Sequence, residues 1–221
     1  MIRVTAFAWA PPFAEGLVRD LRVRWALEEA GLAYEERLIH QGDQDKPEYR
    51  QLQPFGQVPF YEEDGITLFE SGAIVLHIGE RSETLLPSDP AGRANAFQWV
   101  IAALNSIEPH VQNLTLIDLF YANEEWAKLR RPGALQFVER RLDALEARLG
   151  DKEYLDSDRF TAGDLMITSV LEIIRHTDLV AQRPALHAYQ SRCKARPAFQ
   201  KALADQVAPF ARNAPAAQAG E

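Results

Sequence analysis

Cys193 is the only cysteine in 221 residues. It excludes an internal disulfide framework and fits a reducing cytoplasm. No apolar run is long enough to span a bilayer. Residues 1–30 lack the apolar core and cleavage site of a signal peptide. Positive charge is in short supply, with 24 Lys and Arg against 32 Asp and Glu, a net charge of −8. That balance argues against nucleic acid or an anionic membrane as the main partner. The five histidines, at 40, 77, 110, 176 and 187, have no metal-ligand spacing with a partner, so no metal site is read. Between residues 6 and 20 there is no Ser, Thr, Tyr or Cys. The densest basic group, Arg19 to Arg24, is interrupted by Asp20. It reads as a solvated helix face with an Asp20–Arg24 pair at i,i+4, with anion binding as the alternative.

Alternation organises the first third of the chain. Residues 2–9 place Ile2, Val4, Ala6 and Ala8 on one face and read as a strand. After Ala10-Pro11-Pro12, residues 16–30 read as a helix with Val23, Ala26, Leu27 and Ala30 in one stripe and Gly31 as its stop. Residues 34–39 form a second strand, which makes a βαβ unit. A short helix at 46–52 ends at Pro54. Strands at 58–62 and 66–69 flank the hairpin signal Glu63-Asp64-Gly65. A helix at 71–81 completes the order βαβαββα.

Residues 82–90 carry two prolines and no periodicity and read as a linker. Everything after them reads helical. Residues 91–120 form one long segment that Pro109 should kink or divide. Leu135, Val138, Leu142, Leu145 and Leu149 make a core stripe ended by Gly150. Thr161 and Asp164 have the spacing of a capping box ahead of an apolar helix from Leu165 to Ile174, a structural role. The expected division is 1–82, a linker at 83–90, a helical domain at 91–211 and a disordered tail at 212–221.

The richest stretch is Gln53-Pro54-Phe55-Gly56-Gln57-Val58-Pro59, followed by Leu68-Phe69-Glu70-Ser71-Gly72-Ala73-Ile74. Pro59 cannot donate to a ladder, and the Val58–Pro59 bond is a candidate for cis. Glu70 and Ser71 fall at a helix start, where backbone N–H groups are free. Exposed backbone at Val58 suits a peptide, and Glu70 with Ser71 suits an ammonium and a carboxylate.

These residues resemble the cytosolic-type glutathione S-transferases. The resemblance covers residues 1 to about 210. It rests on Val23-Arg24-Trp25-Ala26-Leu27-Glu28-Glu29-Ala30-Gly31-Leu32, on Pro54-x-Gly56-x-Val58-Pro59 and on Glu70-Ser71-x-Ala73-Ile74. The capping box at 161–164 continues it, as do Pro184-Ala185-Leu186-x-Ala188-Tyr189 and Ala195-Arg196-Pro197-Ala198-Phe199. The resemblance implies a thioredoxin-like α/β N-terminal domain followed by an all-α C-terminal domain, glutathione as co-substrate with no tightly bound cofactor, and a homodimer in the cytoplasm. It implies transfer of glutathione to an alkyl or aryl group of a small hydrophobic electrophile. That pocket would be shaped by the 97–120 helix. Val58 would pair its backbone with the cysteinyl part of glutathione across a cis bond to Pro59. Glu70 and Ser71 would hold the γ-glutamyl end. Gln44, Lys46 and Gln57 fall where the family meets the glycyl carboxylate.

The chain departs from the family where a catalytic Tyr, Ser or Cys usually stands. A thiol of ordinary pKa, about 8.5, is only a few per cent ionised at neutral pH. Arg19 and Trp9 are the candidates that would assist the start of the first helix in holding a thiolate. Glu15 could act only as a base on the thiol or as a hindrance to the anion. The missing hydroxyl keeps two alternatives open: a glutathione-dependent disulfide reductase or peroxidase, and a non-catalytic glutathione-binding protein. Cys193 reads as a buried apolar residue rather than a nucleophile.

Overall fold

The computed structural model describes residues 1–156 and 158–215. Strand β1 (Ile2–Phe7), helix α1 (Asp20–Ala30) and strand β2 (Tyr34–Ile39) form the expected parallel unit, with Ile2 opposite Tyr34. The short helix α2 (Pro47–Arg50) leads to β3 (Phe60–Glu63), β4 (Ile66–Phe69) and α3 (Ser71–Gly79). The sheet order is β2-β1-β3-β4, with β3 antiparallel to both neighbours. Asp64 and Gly65 both take positive φ, 47° and 85°, as a tight two-residue hairpin requires.

Several element boundaries differ from expectation: the strand read at 2–9 ends at Phe7, the helix at 46–52 narrows to Pro47–Arg50, and the helix at 71–81 ends at Gly79. The first helix starts at Asp20 rather than Gly16, because Gly16 takes φ +74°. The fully buried amide of Gln206 also pins the preceding loop. Its Oε1 accepts from Gly16 N at 3.1 Å, and its Nε2 donates to the Val18 carbonyl at 3.0 Å and to Asp20 Oδ1 at 2.7 Å. The third strand starts at Phe60 rather than Val58; the Val58–Pro59 peptide before it is cis.

Among the described residues, the regular structure that follows is helical apart from one isolated bridge between Asp156 and Arg159. The long 91–120 segment is divided, as Pro109 demands. Helix α4 (Pro90–Ala102) passes through a π-helical turn (Ala103–Ile107) into α5 (Glu108–Leu119). A proline ring clashes with the carbonyl four residues before it, and the widened turn lies across that position, Asn105. Helix α6 (Glu125–Leu149) buries Val138, Leu142, Leu145 and Leu149 of the predicted stripe, with Leu135 half-buried. Helix α7 (Ala162–Glu172) follows, then α8 (Pro184–Lys194) and α9 (Pro197–Arg212). Arg212 closes α9, so the expected disordered tail begins inside a helix; its residues 216–221 lie outside the described ones.

One core runs through both halves. Trp25 of α1 packs against Phe160 and Phe199, with ring centroids 5.6 and 4.8 Å apart. The Arg19–Arg24 segment is therefore not a solvated face. The Asp20–Arg24 pair is present at 2.7 Å, but both residues are only 1% exposed. Helix α1 lies between the sheet domain and α9, and Arg24 reaches on to Glu36 of β2 at 2.7 Å. On the opposite face of the sheet, Ile39, Tyr49, Val58 and Phe60 form a second small cluster. Tyr49 Oη donates to the Gln57 carbonyl at 2.7 Å and fixes the stretch that carries Val58.

Candidate active site

A cavity of about 410 Å³ opens where the sheet domain meets α5. Its floor is Gln57, Val58 and Pro59, one wall is Glu70 and Ser71, and the other is Arg19 and Arg22 of the α1 region with Glu108 and Gln112 of α5. Among the described residues no hydrogen bond takes up the Val58 N–H or carbonyl. An edge of peptide backbone is thus left free inside a cavity.

The wall at α3 is built by close packing. A Cβ on Gly72 would lie 2.5 Å from Leu104 Cδ1, so a larger residue there would displace the Leu104 side chain of the π-helical turn. The first residue of α3 to close a helical bond is Ile74, which donates to the Glu70 carbonyl at 3.0 Å. The N–H groups of Ser71, Gly72 and Ala73 therefore have no partner within the helix. Glu70 holds φ +69°, uncommon for a residue with a side chain, and such strain concentrates at functional sites.

Charge is concentrated opposite. Glu108 Oε1 lies 2.9 Å from Arg19 Nη2 and 2.9 Å from Arg22 Nη2. Arg19 also donates to Gln112 Oε1 at 3.0 Å, and Arg22 to Ser71 Oγ at 3.2 Å. Burial alone would raise the Glu108 pKa, but the charges and hydrogen bonds of Arg22 and then Arg19 outweigh it and hold the carboxyl below its ordinary value. Burial lowers the Arg22 pKa, with Glu108 opposing that shift. Two guanidiniums share one buried carboxylate, so the cluster carries one excess positive charge before the exposed Glu70 is counted.

The structure brings Arg19, Gln57, Val58, Pro59, Glu70 and Ser71 to this cavity. Trp9 is half-buried beyond the end of β1 and does not line it. Gln44 and Lys46 do not line it either: Gln44 Oε1 accepts from Gly42 N at 2.8 Å, and Lys46 Nζ lies 2.6 Å from Asp43. Both stand on the turn beside Gly56, where a Cβ would meet the Gln44 carbonyl at 3.0 Å. Glu15 is exposed and lies outside the cavity. The sequence patterns do not single out Gln53, Glu108 or Gln112 as site residues, and they mark Arg22 only as part of the basic group whose alternative reading is anion binding. Glu108 did carry a signal: an acidic residue next to proline in an apolar segment, with no basic residue three or four positions away.

Comparison with known proteins follows the same lines. The family descriptions "Glutathione S-transferase, N-terminal domain" and "Glutathione S-transferase, C-terminal domain" match residues 15–80 and 123–197. A glutathione S-transferase from Hyoscyamus muticus is 30% identical over 197 residues, covering 83% of this chain and 92% of the relative. The chain belongs to the glutathione S-transferase family. Glutathione S-transferase F11 of Arabidopsis thaliana is 31% identical over 73% of this chain and 80% of its own. Among solved structures, a glutathione transferase from Burkholderia graminis with two glutathione molecules bound per subunit superimposes with a TM-score of 0.80 at 28% identity, over 92% of this chain and 87% of that one. A glutathione transferase from Pseudomonas putida with one glutathione disulfide per subunit gives 0.80 at 25% identity, over 91% and 90%. As in the family, a mixed four-stranded sheet with its helices precedes an all-helical region, the thioredoxin-like arrangement.

Proposed function

We propose that the protein is a glutathione transferase that binds glutathione in the 410 Å³ cavity and activates its thiol for attack on a small hydrophobic electrophile. The observation that carries this reading is the meeting, in one cavity, of free backbone at Val58 with the open N-terminus of α3 at Glu70 and Ser71. Val58 pairs with the cysteinyl peptide, Glu70 takes the ammonium and Ser71 the carboxylate of the γ-glutamyl end. Gln57, with Gln44 and Lys46 on the turn beyond it, serves the glycyl carboxylate. Residues 1–82 form the glutathione domain, 83–90 the linker and 91–211 the helical domain. The single cysteine fits a cytoplasmic protein.

In the transfer step the thiolate sulfur attacks the electrophilic carbon, an S–C bond forms and the leaving group departs with its electron pair. Bringing the thiol pKa down by two units takes about 2.7 kcal/mol of preference for the anion. A helix N-terminus contributes about 0.3–1 kcal/mol, up to ~2 when partly buried. The excess positive charge at Arg19 supplies the remainder. The electrophile lies along α5, where Leu116 and Phe120 continue the face that begins with Glu108 and Gln112. The Phe120 ring meets that of Phe13, from the loop before α1, at 5.9 Å.

A second reading has its own support. The absence of a hydroxyl or thiol at residues 6–20, together with the two bacterial relatives that hold paired glutathione or its disulfide, favours disulfide reduction by bound glutathione. Turnover with a chlorodinitrobenzene and with a small disulfide separates the two. Calorimetry tests the site itself: Glu70→Ala and Ser71→Ala should each weaken glutathione at least tenfold, the cost of losing a charge-assisted hydrogen bond. Unchanged affinity in both would remove the assignment.

A further inference from the structure

Two charged residues of the cavity have no role in that reading: Arg22 and Glu108. Arg22 Nη1 donates to Ser71 Oγ at 3.2 Å and to Glu108 Oε2 at 3.3 Å, while its Nη2 donates to Glu108 Oε1 at 2.9 Å. All three residues are buried. A guanidinium has donors and no acceptor. In its bond with Arg22 the Ser71 hydroxyl must therefore accept, which leaves its own hydrogen free to donate into the cavity. The free N–H groups of the first turn of α3 are donors as well. The Ser71 hydroxyl and the first turn of α3 present donors, which suits a carboxylate, while the Glu108 oxygens beside them are already taken up by Arg22 and Arg19. The acceptor for an ammonium is the neighbouring Glu70.

We infer that Glu108 and Arg22 are positioning residues that act through the Ser71 hydroxyl and reserve this corner for the α-carboxylate of an α-amino acid ligand end; the inference rests on the glutathione reading above. Glu108 holds the guanidinium by its fork, one oxygen to each terminal nitrogen, and so fixes the direction from which Ser71 is approached. Helix α5 brings this carboxylate to the sheet domain directly after the π-helical turn. The helical half thereby sets the polarity of a hydroxyl in the other half.

The test is calorimetric titration with glutathione and with an analogue carrying hydrogen in place of the γ-glutamyl α-carboxylate. Arg22→Met and Glu108→Gln should each weaken glutathione about tenfold. Arg22→Met/Ser71→Ala should bind it no more than twofold worse than Ser71→Ala alone, because both changes remove one interaction. The analogue should bind the wild type and all variants alike, within twofold. Arg22→Lys, with charge but no fork, should recover part of the glutathione affinity. Additive losses for Arg22 and Ser71, or equal losses toward the analogue, would overturn the inference and leave a structural ion pair. If Ser71→Ala weakens glutathione and Arg22→Met does not, the inference fails while the glutathione reading stands. If neither Glu70→Ala nor Ser71→Ala matters, both fail. Should Arg22→Met not fold, Glu108→Gln, which keeps the side-chain shape, carries the comparison with Ser71→Ala.

Discussion

In the proposed reading, Arg19 takes the part that a hydroxyl or thiol plays in the family pattern. A hydroxyl would hold a thiolate by one hydrogen bond; Arg19 offers a charge, shared with Glu108 and Gln112 and only part-buried. Removing it should raise the pKa of bound glutathione thiol and move the pH–rate profile to higher pH. The expected variant is Arg19→Met, with the thiolate titrated by its ultraviolet absorbance. Trp9→Phe should leave that titration in place, since Trp9 does not line the cavity. A serine, threonine or tyrosine oxygen on the sulfur in a glutathione complex would refute the role of Arg19. A thiol that is not acidified even in the wild type would favour the non-catalytic binder. Cys193 stands outside this chemistry: it is buried in the helical half, and burial pushes its thiol up to about 12.

Helix starts and stops were the most legible features at the scale of elements. The capping box is present as written: Thr161 Oγ1 accepts from Gly163 N at 3.2 Å and Asp164 Oδ2 accepts from Thr161 N at 2.8 Å. The sequence did not show what else Asp164 does. Its second oxygen accepts from Leu155 N at 2.9 Å and from Tyr189 Oη at 3.0 Å. Asp164→Ala should therefore cost more than a surface cap, about 3 kcal/mol or more, because four buried donors, the Thr161 hydroxyl included, lose their acceptor. Urea denaturation measures it, and a loss below about 1 kcal/mol would count against that accounting. Local pattern predicted caps, the hairpin and the Pro109 break because each is decided within a few residues. It misjudged Arg19–Arg24 because the burial of α1 is decided by α9, nearly two hundred residues away, and Glu108 was missed for the same reason. That pairing has a pH signature. The folded Glu108 pKa lies below the unfolded 4.5, so its contribution is complete above about pH 4.5 and is lost as pH falls through the lower folded value. Glu108→Gln should flatten stability against pH in that acid window. An unchanged acid limb would show that other carboxylates set it.

For the whole molecule, the unanswered surface is apolar. Phe55, on the loop before β3, is 62% exposed, and its ring meets that of Phe69 at 6.0 Å. Phe69 and Ile66 lie on β4, an edge strand of the sheet, and both are exposed. Edge strands with exposed apolar side chains are surfaces that proteins cover. The helical half carries a counterpart of opposite character to the acidic chain as a whole: Phe137 stacks on His110 at 5.4 Å, with the Arg140 guanidinium 4.6 Å from its ring. In a twofold pairing of two copies each surface would meet the other, and both contacts would form twice. The family resemblance leads to the same expectation, with the sheet domain of one subunit against the helical domain of its partner. Light scattering at micromolar concentration should therefore give twice the 24.9 kDa chain mass. Phe55→Ser should shift the mass toward the single chain without unfolding it, because the ring is exposed within one subunit. Its circular dichroism should match the wild type. A wild type that stays at 24.9 kDa would refute the dimer, and a Phe55→Ser variant that remains fully dimeric would place the interface elsewhere.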